Sequence, residues 1–276
     1  NILGIIIFLS KRINKLTFLM ELENQNEDSI TIHEYGKQNP NIIVMFHPLG
    51  VWHDVFDYVK PILEKDYHLI IPAIPGLDPD KPKSEFTSIE DIESKISNWL
   101  ISNKYETVKC LYGCSMGGSL VIRMLASNKI VTEYAIIDAG ITPYQFPKIF
   151  SFFVGVRDWS MTQIGKHASV KALSSVFDPK KYKEEDLLYI KKVLNSMSSK
   201  TIWNGFYSTN NYSMPKDFKE PNCKIQYWYG DEEKKERDWD IKYVKKIYPK
   251  TIFVENKGQN HAEFFTLHPE EFCKQL

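Results

Sequence analysis

The residues with the most evident chemistry stand at positions 113–117, where the sequence reads Gly-Cys-Ser-Met-Gly. An apolar run ends just before this segment, and a run with helical character follows it. A serine between two glycines at this spacing is typical of a sharp turn from a strand into a helix, which presents the serine hydroxyl as a nucleophile. Gly113 and Gly117 lack the bulk that would keep the strand and the helix apart. The motif therefore predicts a nucleophilic Ser115, and the simpler alternative is a turn softened by glycine.

A serine hydroxyl becomes a strong nucleophile when an imidazole removes its proton, so a histidine must reach Ser115. His261 is the best candidate, because it follows the last predicted strand in a loop at the carboxyl edge of the sheet, where the sites of open α/β sheets lie. His53 is a candidate for lining the pocket, although packing is the simpler role for it. Surface, packing or loop-holding roles explain the others, which are His33, His47, His68, His167 and His268.

A third group must accept the other imidazole N–H and stabilise the imidazolium that forms. Asp231 and Glu233 follow the strand predicted at 224–229, just after a glycine. Both acids leave room for a crossover helix and a strand before His261. We choose Glu233 as the third group, with Asp231 as the alternative. Asp138 is a third candidate and is more simply a polar strand end. The charge run that begins at Asp231 is otherwise typical of a solvated helix start, so we expect only one functional acid in it.

A tetrahedral intermediate at Ser115 needs two hydrogen-bond donors for its oxyanion. The backbone N–H of Met116 is one of them, since it opens the helix after the serine and gains from the helix dipole. The second donor should come from the turn 47–50, His-Pro-Leu-Gly, which follows a buried strand. We expect the N–H of Leu49 to donate there, with His47 holding the turn by hydrogen bonds.

The segments that must position these residues alternate between short β-branched runs and longer amphipathic ones, which predicts a mostly parallel central sheet with helices on both faces. We predict strands at residues 16–22, 29–35, 41–46, 68–73, 108–112, 134–137, 224–229 and 251–254. Helices are predicted at 54–65, from residue 89 behind the N-cap Ser88, at 120–125 and at 240–247. Residues 144–218 contain helical segments and aromatic side chains without a convincing strand, and we interpret them as an inserted helical cap. The core then comprises 20–143 and 219–276, and residues 1–19 form an N-terminal segment of undetermined role.

The composition is that of a globular protein and argues against several other classes. Of the 276 residues, 43% are hydrophobic and 25% are charged, which disfavours both disorder and a polytopic membrane protein. Basic and acidic side chains balance at 35 each, so we do not expect nucleic acid as a partner. The four scattered cysteines form no metal-binding spacing, and we expect free thiols in a reducing cytosol. No feature implies a metal, nucleotide or flavin cofactor.

An apolar run at residues 2–9 is too short to span a bilayer. Lys11 and Arg12 follow this run, whereas a signal peptide carries its basic residues before the apolar part. A packed helix or strand is the simpler interpretation, with the tail of a membrane anchor as the alternative, and Met20 is also a plausible start. We therefore expect a cytoplasmic protein without a membrane partner.

The order of these features resembles the α/β-hydrolase family from about residue 29 onward: strand, His-Pro-Leu-Gly turn, serine turn, helical insertion, acid and histidine. The Gly-Cys-Ser-Met-Gly-Gly of 113–118 resembles the Gly-His-Ser-Met-Gly-Gly of the family's esterases, lipases and peptidases, and Asn260-His261 resembles their Gly-His. The resemblance implies a Ser–His–acid triad and places the acid three residues beyond the glycine, at Glu233. The sequence departs from the family at His47-Pro48 in place of His-Gly, at Asn260 in place of glycine, and in a Glu where Asp is more frequent. A serine nucleophile also sets it apart from the family's dehalogenases and epoxide hydrolases, which use aspartate.

The resemblance implies a serine hydrolase that cleaves a small carboxylic ester or thioester through an acyl-enzyme. The same triad would serve an aminopeptidase or a carbon–carbon bond hydrolase. An aminopeptidase needs an acid for the substrate amine, for which the insertion offers Asp158, Glu184, Glu185 and Asp186. A non-catalytic receptor is the remaining interpretation, which an intact triad disfavours. Candidate walls of an acyl pocket, with ordinary packing as an equal alternative, are Phe146, Phe150, Phe152, Phe153, Trp159, Trp203 and Phe206.

Overall fold

The centre of the protein is a seven-stranded sheet within residues 29–175 and 177–276, the part of the chain that this computed structural model describes. The strands lie in the order β1-β3-β2-β4-β5-β6-β7; β1 runs antiparallel to β3, and all other neighbours are parallel. Their bounds are β1 Thr31–Tyr35, β2 Ile42–Phe46, β3 His68–Ala73, β4 Thr107–Cys114, β5 Val131–Asp138, β6 Lys224–Gly230 and β7 Ile252–Asn256. The predicted mostly parallel sheet is therefore confirmed. The strand predicted at 16–22 and the segment 1–19 lie outside the described residues.

Helices connect the strands of this sheet. Their bounds are α1 Lys60–Leu63, α2 Ile89–Ser102, α3 Met116–Ser127, α4 Lys148–His167, α5 Val170–Leu173, α6 Glu184–Ser196, α7 Ser199–Thr209, α8 Lys234–Ile247, α9 Phe264–Leu267 and α10 Pro269–Gln275. As predicted, Ser88 caps α2, because its Oγ accepts a hydrogen bond from the N–H of Asp91 at 3.1 Å. Over the described ranges, no helix combines the length and the apolar character needed to cross a membrane.

The single helix predicted at 54–65 is wrong. His53–Tyr58 form a 3₁₀ helix, and α1 begins only at Lys60. Pro61 lies in the first turn of α1, where a helix leaves backbone N–H groups unpaired in any case. In one continuous helix the same proline would remove an internal hydrogen bond, since it has no N–H to donate. The proline therefore divides the segment into two short helices.

Two apolar clusters cover the two faces of the sheet. Because side chains alternate along a strand, Val44 and Phe46 of β2 point into one cluster, and Ile43 and Met45 point into the other. Buried side chains of α2, α3 and α8 complete the first cluster, and those of α9 and α10 complete the second. The expected helices on both faces are therefore present.

The chain between β5 and β6 forms α4 to α7, so residues 144–218 are helical as expected and contain no strand in their described part. This insertion packs on the loops that follow β2 and β3. A Cβ built on Gly205 of α7 would lie 2.8 Å from the side chain of Leu49, in the loop after β2. The hydroxyl of Thr201, also on α7, accepts a hydrogen bond from the N–H of Phe86 at 3.1 Å. These contacts place the insertion at the carboxyl edge of the sheet.

Candidate active site

Ser115 stands on the turn between β4 and α3 in a strained backbone conformation, with φ of 55° and ψ of −116°. Its N–H donates to the carbonyl oxygen of Asp138 at 2.8 Å. Its carbonyl oxygen accepts from the N–H of Ser119 at 3.1 Å and from the N–H of Ile141 at 3.4 Å. The end of β5 and the start of α3 therefore hold the serine in a conformation that non-glycine residues rarely adopt, which is a recurring property of functional sites.

The glycines around Ser115 are required by close contacts of the backbone. A Cβ on Gly113 would lie 2.2 Å from the carbonyl oxygen of Gly117, and one on Gly117 would lie 2.1 Å from the carbonyl oxygen of Phe46. A Cβ on Gly118 would lie 2.5 Å from the Cα of Gly140. Strand, turn and helix approach each other so closely that only glycine fits at these three positions.

His261 and Glu233 are in direct contact, with Nδ1 of the imidazole 2.7 Å from Oε2 of the carboxylate. The glutamate side chain is buried, whereas that of the histidine is 39% exposed. Gly230 allows their two loops to meet, because a Cβ there would lie 2.1 Å from the carbonyl oxygen of Gln259. Since an ionised carboxylate can only accept, Nδ1 carries the hydrogen and Nε2 of the neutral ring is left to accept a proton.

The two other carboxylates considered for the third role bond elsewhere. Asp231 is exposed, and its Oδ1 accepts from the N–H of Gly258 at 2.8 Å, which ties down the backbone before the histidine. Asp138 is buried and accepts from the hydroxyl of Tyr112 at 2.6 Å. Burial raises the pKa of Asp138 to about 7; the hydrogen bond from Tyr112 opposes this rise, and the charge of Glu233 adds to it. Of the three acids, Glu233 is the one bonded to the imidazole.

The structure brings the three predicted residues to the same edge of the sheet. β4, β5, β6 and β7 are consecutive neighbours in it. Ser115 directly follows β4, Glu233 lies in the turn after β6, and His261 lies in the loop after β7. Asp138, which ends β5 between them, is bonded through its carbonyl oxygen to the N–H of Ser115, and the charges of both Glu233 and His261 act on its carboxyl group.

The two expected oxyanion donors lie on either side of the serine turn. Met116 is the first residue of α3, and Leu49 lies in the turn after β2, the strand that pairs with β4. Within the described ranges, the backbone N–H of neither residue donates to a protein acceptor.

His47 holds the turn after β2, as expected. Its Nδ1–H donates to the carbonyl oxygen of Pro48 at 2.9 Å, and its Nε2 accepts from the N–H of Ile74 at 3.3 Å. Burial lowers the pKa of His47 to about 4, so the ring is neutral and keeps this pair of hydrogen bonds at neutral pH. His53 stacks on His33 with the ring centroids 3.8 Å apart, which is a packing role.

One residue of the site was missed by sequence reasoning. Arg237 on α8 is 14% exposed, and its Nε lies 3.4 Å from Oε2 of Glu233. Its guanidinium also lies 3.1 Å from Oδ2 of Asp240, whose other oxygen accepts from both the N–H and the hydroxyl of Thr142 at 2.7 Å. The expectation of a solvated charge run is therefore wrong for Arg237, which is nearly buried together with Glu233 and Asp240. Their spacing of four and then three residues, which places them on one face of a helix, was the signal available in the sequence.

The aromatic side chains of the insertion do not share one environment. Phe150 and Phe153 are 60% and 62% exposed on the outer side of α4, so the expectation that they wall an acyl pocket is wrong. Phe152 packs edge-on against Trp203, with the ring centroids 5.5 Å apart. Phe206 packs against the larger apolar cluster. Packing or exposure accounts for these four phenylalanines.

Two of the four acidic side chains considered for a substrate amine, Asp158 and Asp186, already have structural partners. Asp158 forms an ion pair with Arg157 at 2.7 Å. Asp186 accepts from the N–H of Lys183 at 2.7 Å, and it stands with two glutamates in the first turn of α6, where the helix dipole favours carboxylates. None of these contacts points to a site for a substrate amine.

A cleft of about 330 Å³ lies beside Trp52, Asp78 and Lys192, and the residues of the predicted triad do not line it. Over residues 29–175 and 177–276, no group of three or more His, Cys, Asp or Glu side chains is arranged to hold a metal ion.

Solved structures of α/β hydrolases share this fold. A protein from Desulfitobacterium hafniense assigned to the α/β hydrolase family has a TM-score of 0.70 at 15% identity, over 89% of this chain and 98% of its own. An esterase from Exiguobacterium antarcticum and a bromoperoxidase from Bacillus anthracis each have a TM-score of 0.69, at 17% and 19% identity, over 89% of this chain and 93% of their own. No protein-family model and no curated protein matches the sequence. The likeness establishes that the chain has the α/β-hydrolase fold.

Proposed function

We propose that the protein is a serine hydrolase that cleaves a small carboxylic ester or thioester, with Ser115 as nucleophile, His261 as general base and Glu233 as the acid of the triad. The observation that carries the proposal is the 2.7 Å contact between His261 Nδ1 and Glu233 Oε2 at the sheet edge that also presents Ser115. The strained turn at Ser115 supports it as well. The fold is compatible with this reaction but also hosts many other reactions, so the residues of the site carry the proposal.

The first half of the proposed reaction forms an acyl-enzyme. Glu233 accepts the Nδ1–H of His261 and so leaves Nε2 with a free electron pair. As Oγ of Ser115 attacks the substrate carbonyl carbon, Nε2 removes the hydroxyl proton and the carbonyl electron pair moves onto its oxygen. When the carbonyl reforms, the bond to the alcohol or thiol breaks, and the leaving group takes its proton from the imidazolium.

The second half repeats these steps with water. Nε2 removes a proton from the water molecule as its oxygen attacks the acyl carbon, and the serine oxygen leaves with that proton. In both halves the negative oxygen would accept hydrogen bonds from the N–H groups of Met116 and Leu49. Removing one such donor from a serine hydrolase typically lowers kcat by about 10²–10³.

The contacts of two acidic residues in the insertion favour an ester or thioester substrate over a peptide substrate with a free amino group. Asp158 pairs with Arg157, and Asp186 caps its own helix, so neither is left to hold a substrate ammonium group. The partly buried side chain of Leu49, in the turn after β2, is suited to contact an apolar acyl group.

Labelling with a fluorophosphonate tests the nucleophile directly, because this reagent modifies activated serines. We expect one adduct per chain, located on Ser115 by peptide mass spectrometry. Ser115→Ala should abolish the labelling and leave less than a few per cent of the ester hydrolysis, with an unchanged fold by circular dichroism. Ser119→Ala is the matched control, since Ser119 lies on the same helix and its hydroxyl only donates to the carbonyl oxygen of Ile141. Full activity of Ser115→Ala would overturn the assignment.

A panel of p-nitrophenyl esters of increasing acyl length, assayed beside aminoacyl p-nitroanilides, tests the substrate class. We expect kcat/KM to be highest for an ester and near zero for the anilides. Faster turnover of the anilides would assign the triad to an aminopeptidase. Labelling without turnover of any of these substrates would contradict the ester assignment while leaving the nucleophile in place.

A further inference from the structure

The outer face of α4 is apolar. Six of its large apolar side chains are between two-fifths and three-quarters exposed: Ile149 58%, Phe150 60%, Phe152 45%, Phe153 62%, Met161 65% and Ile164 70%. Exposed apolar side chains scattered singly over a surface are normal, but six on one side of one helix are typical of an interaction surface.

Apart from Trp159, which packs against the larger apolar cluster, the inner face of α4 is small and polar. Ser151 and Gly155 are its buried residues, and Asp158 and Thr162 continue the same stripe at the spacing of a helix. The hydroxyl of Ser151 donates to the carbonyl oxygen of Lys148 at 2.9 Å, so this side of the helix satisfies its polar groups locally. A surface helix of a water-soluble protein normally has the reverse arrangement, with its apolar stripe turned to the core. The outer face of α4 is therefore built to be covered.

The segment that contains this face carries a local excess of positive charge. Residues 148–173, which form α4 and α5, carry four basic side chains and one acidic one, although the whole chain has no net charge. The acid, Asp158, is paired with Arg157. Lys148 stands in the first turn of α4, which contains no acidic residue, and a helix dipole disfavours a cation there. The helix dipole therefore does not account for the charge of Lys148, and Lys171 in the last turn of α5 is a second exposed cation.

We propose that the outer face of α4 docks on the surface of a membrane that contains anionic lipid, with the helix lying in the plane of the interface. The phenylalanines and aliphatic side chains would enter the boundary of the acyl chains, and Lys148 and Lys171 would meet lipid phosphates at the two ends of the helix. A second copy fits less well, because pairing two such faces brings like charges together in either orientation. The inference does not depend on the proposed hydrolase activity. It differs from the expectation from sequence of no membrane partner, and the experiment below decides between the two.

Sedimentation of the full chain with lipid vesicles tests the proposal. We expect binding to vesicles of phosphatidylcholine mixed with phosphatidylglycerol, and much weaker binding to phosphatidylcholine alone. Phe150→Ser combined with Phe153→Ser should lower the bound fraction at least tenfold. Lys148→Glu combined with Lys171→Glu, or high salt, should remove the preference for the anionic vesicles. The matched control is Val131→Ser, since Val131 is 60% exposed at the amino end of β5 and should not affect binding.

Three results would overturn the proposal. The first is no binding of the wild-type chain to either kind of vesicle. The second is binding that survives the Phe150 and Phe153 substitutions in a folded protein, which would place the contact elsewhere in the chain. The third is a wild-type dimer in light scattering that these substitutions convert to a monomer, without vesicle binding, which would assign the face to a second copy. Should that double variant fail to fold, Met161→Ser combined with Ile164→Ser probes the other half of the same face.

Discussion

Arg237 lies against Glu233 inside the protein, with its Nε 3.4 Å from Oε2, the carboxylate oxygen that also contacts the imidazole. Both side chains are largely shielded from water, at 14% and 5% exposed. A carboxylate taken out of water keeps its charge only if an opposite charge or hydrogen bonds replace the lost solvation. We infer that Arg237 provides this compensation and so acts as a positioning residue for the proposed triad.

Replacing Arg237 should therefore change the pH dependence of the reaction as well as its rate. Arg237→Met removes a positive charge beside the proposed triad and so makes it easier for the site to take up a proton, which should move the acid limb of the kcat/KM profile to higher pH. Arg237→Lys keeps the charge and should shift the limb much less. The measurement is a pH–rate profile of the three proteins on one activated ester.

The main risk in this experiment is loss of the fold, because an unpaired buried charge typically costs about 3–5 kcal/mol. Arg237→Met also leaves Asp240 without its guanidinium partner. Thermal unfolding of each variant, and the profile of Arg237→Lys, separate stability from chemistry. A folded Arg237→Met protein with the wild-type pH profile would show that Arg237 is only structural.

The choice between the two acids after β6 is testable by their amides. Glu233→Gln should lower kcat by several orders of magnitude, about 10⁴ for the equivalent aspartate-to-asparagine change in a serine protease, because the amide no longer holds the imidazole in the required tautomer. Asp231→Asn should stay near the wild-type rate, since Asp231 accepts only from the N–H of Gly258 and an amide oxygen can do the same. The two variants are assayed side by side on one ester. A deep loss in Asp231→Asn with an active Glu233→Gln would transfer the role to Asp231.

Much of the site could be predicted because its signals are local in the sequence. The glycines at 113 and 117 stand where backbone atoms approach within about 2 Å of a built Cβ, so the motif records a steric requirement of the turn itself. The position of His261 after the last strand follows from the way in which parallel strands collect their loops at one edge. The order of the strands in the sheet has no comparable local signal and came from the structure.

The features that sequence reasoning missed depend on tertiary contacts. Arg237 lies in a highly charged run, and nothing local distinguishes a solvated guanidinium from one buried between Glu233 and Asp240. Phe150 and Phe153 were candidates for a pocket wall because aromatic side chains are usually buried, yet the face of α4 that carries them is turned outward. In both cases the direction in which a helix faces decides the role, and that direction is set by packing.

The glycine at position 117 should tolerate no side chain. A methyl group there would lie 2.1 Å from the carbonyl oxygen of Phe46, and a backbone atom in a central strand cannot move aside as a flexible side chain would. We expect Gly117→Ala to lower the free energy of unfolding by about 1–3 kcal/mol and to reduce activity, and Gly117→Val to do more damage on both counts. Denaturant unfolding and ester hydrolysis measure the two effects.

Gly165 provides the matched control on another helix. A Cβ at Gly165 of α4 would make only an ordinary contact, 3.8 Å from Leu194 Cδ1. Because glycine in a helix is less stable than alanine by roughly 0.5–1 kcal/mol, Gly165→Ala should be neutral or slightly stabilising. Equal losses in the two alanine variants would mean that the close approach at position 117 is not the cause.

The buried carboxyl group of Asp138 should make the stability of the protein depend on pH. Burial raises its pKa from the ordinary 3.8 to about 7, so between these values the folded protein holds a proton that the unfolded chain has already lost. Over this window the free energy of unfolding should fall as the pH rises, and above about pH 7 the penalty is complete. Asp138→Asn has no proton to lose. Its amide oxygen can still accept the hydrogen bond from Tyr112, whose hydroxyl oxygen lies 2.6 Å from Oδ2 of Asp138 in the wild-type protein.

This last prediction is tested by the change in the free energy of unfolding between two pH values. Any packing cost of the amide is present at both pH values and cancels in that difference. Relative to wild type, Asp138→Asn should gain stability between pH 5 and pH 8, on the order of a few kcal/mol if the whole shift is realised. Tyr112→Phe should extend the wild-type dependence to higher pH, since the hydrogen bond from Tyr112 is what opposes the rise in the pKa of Asp138. Denaturant unfolding of the three proteins at both pH values provides the comparison. Parallel pH dependences for wild type and Asp138→Asn would show that Asp138 is ionised in the folded protein throughout, with its charge balanced by the neighbouring imidazole.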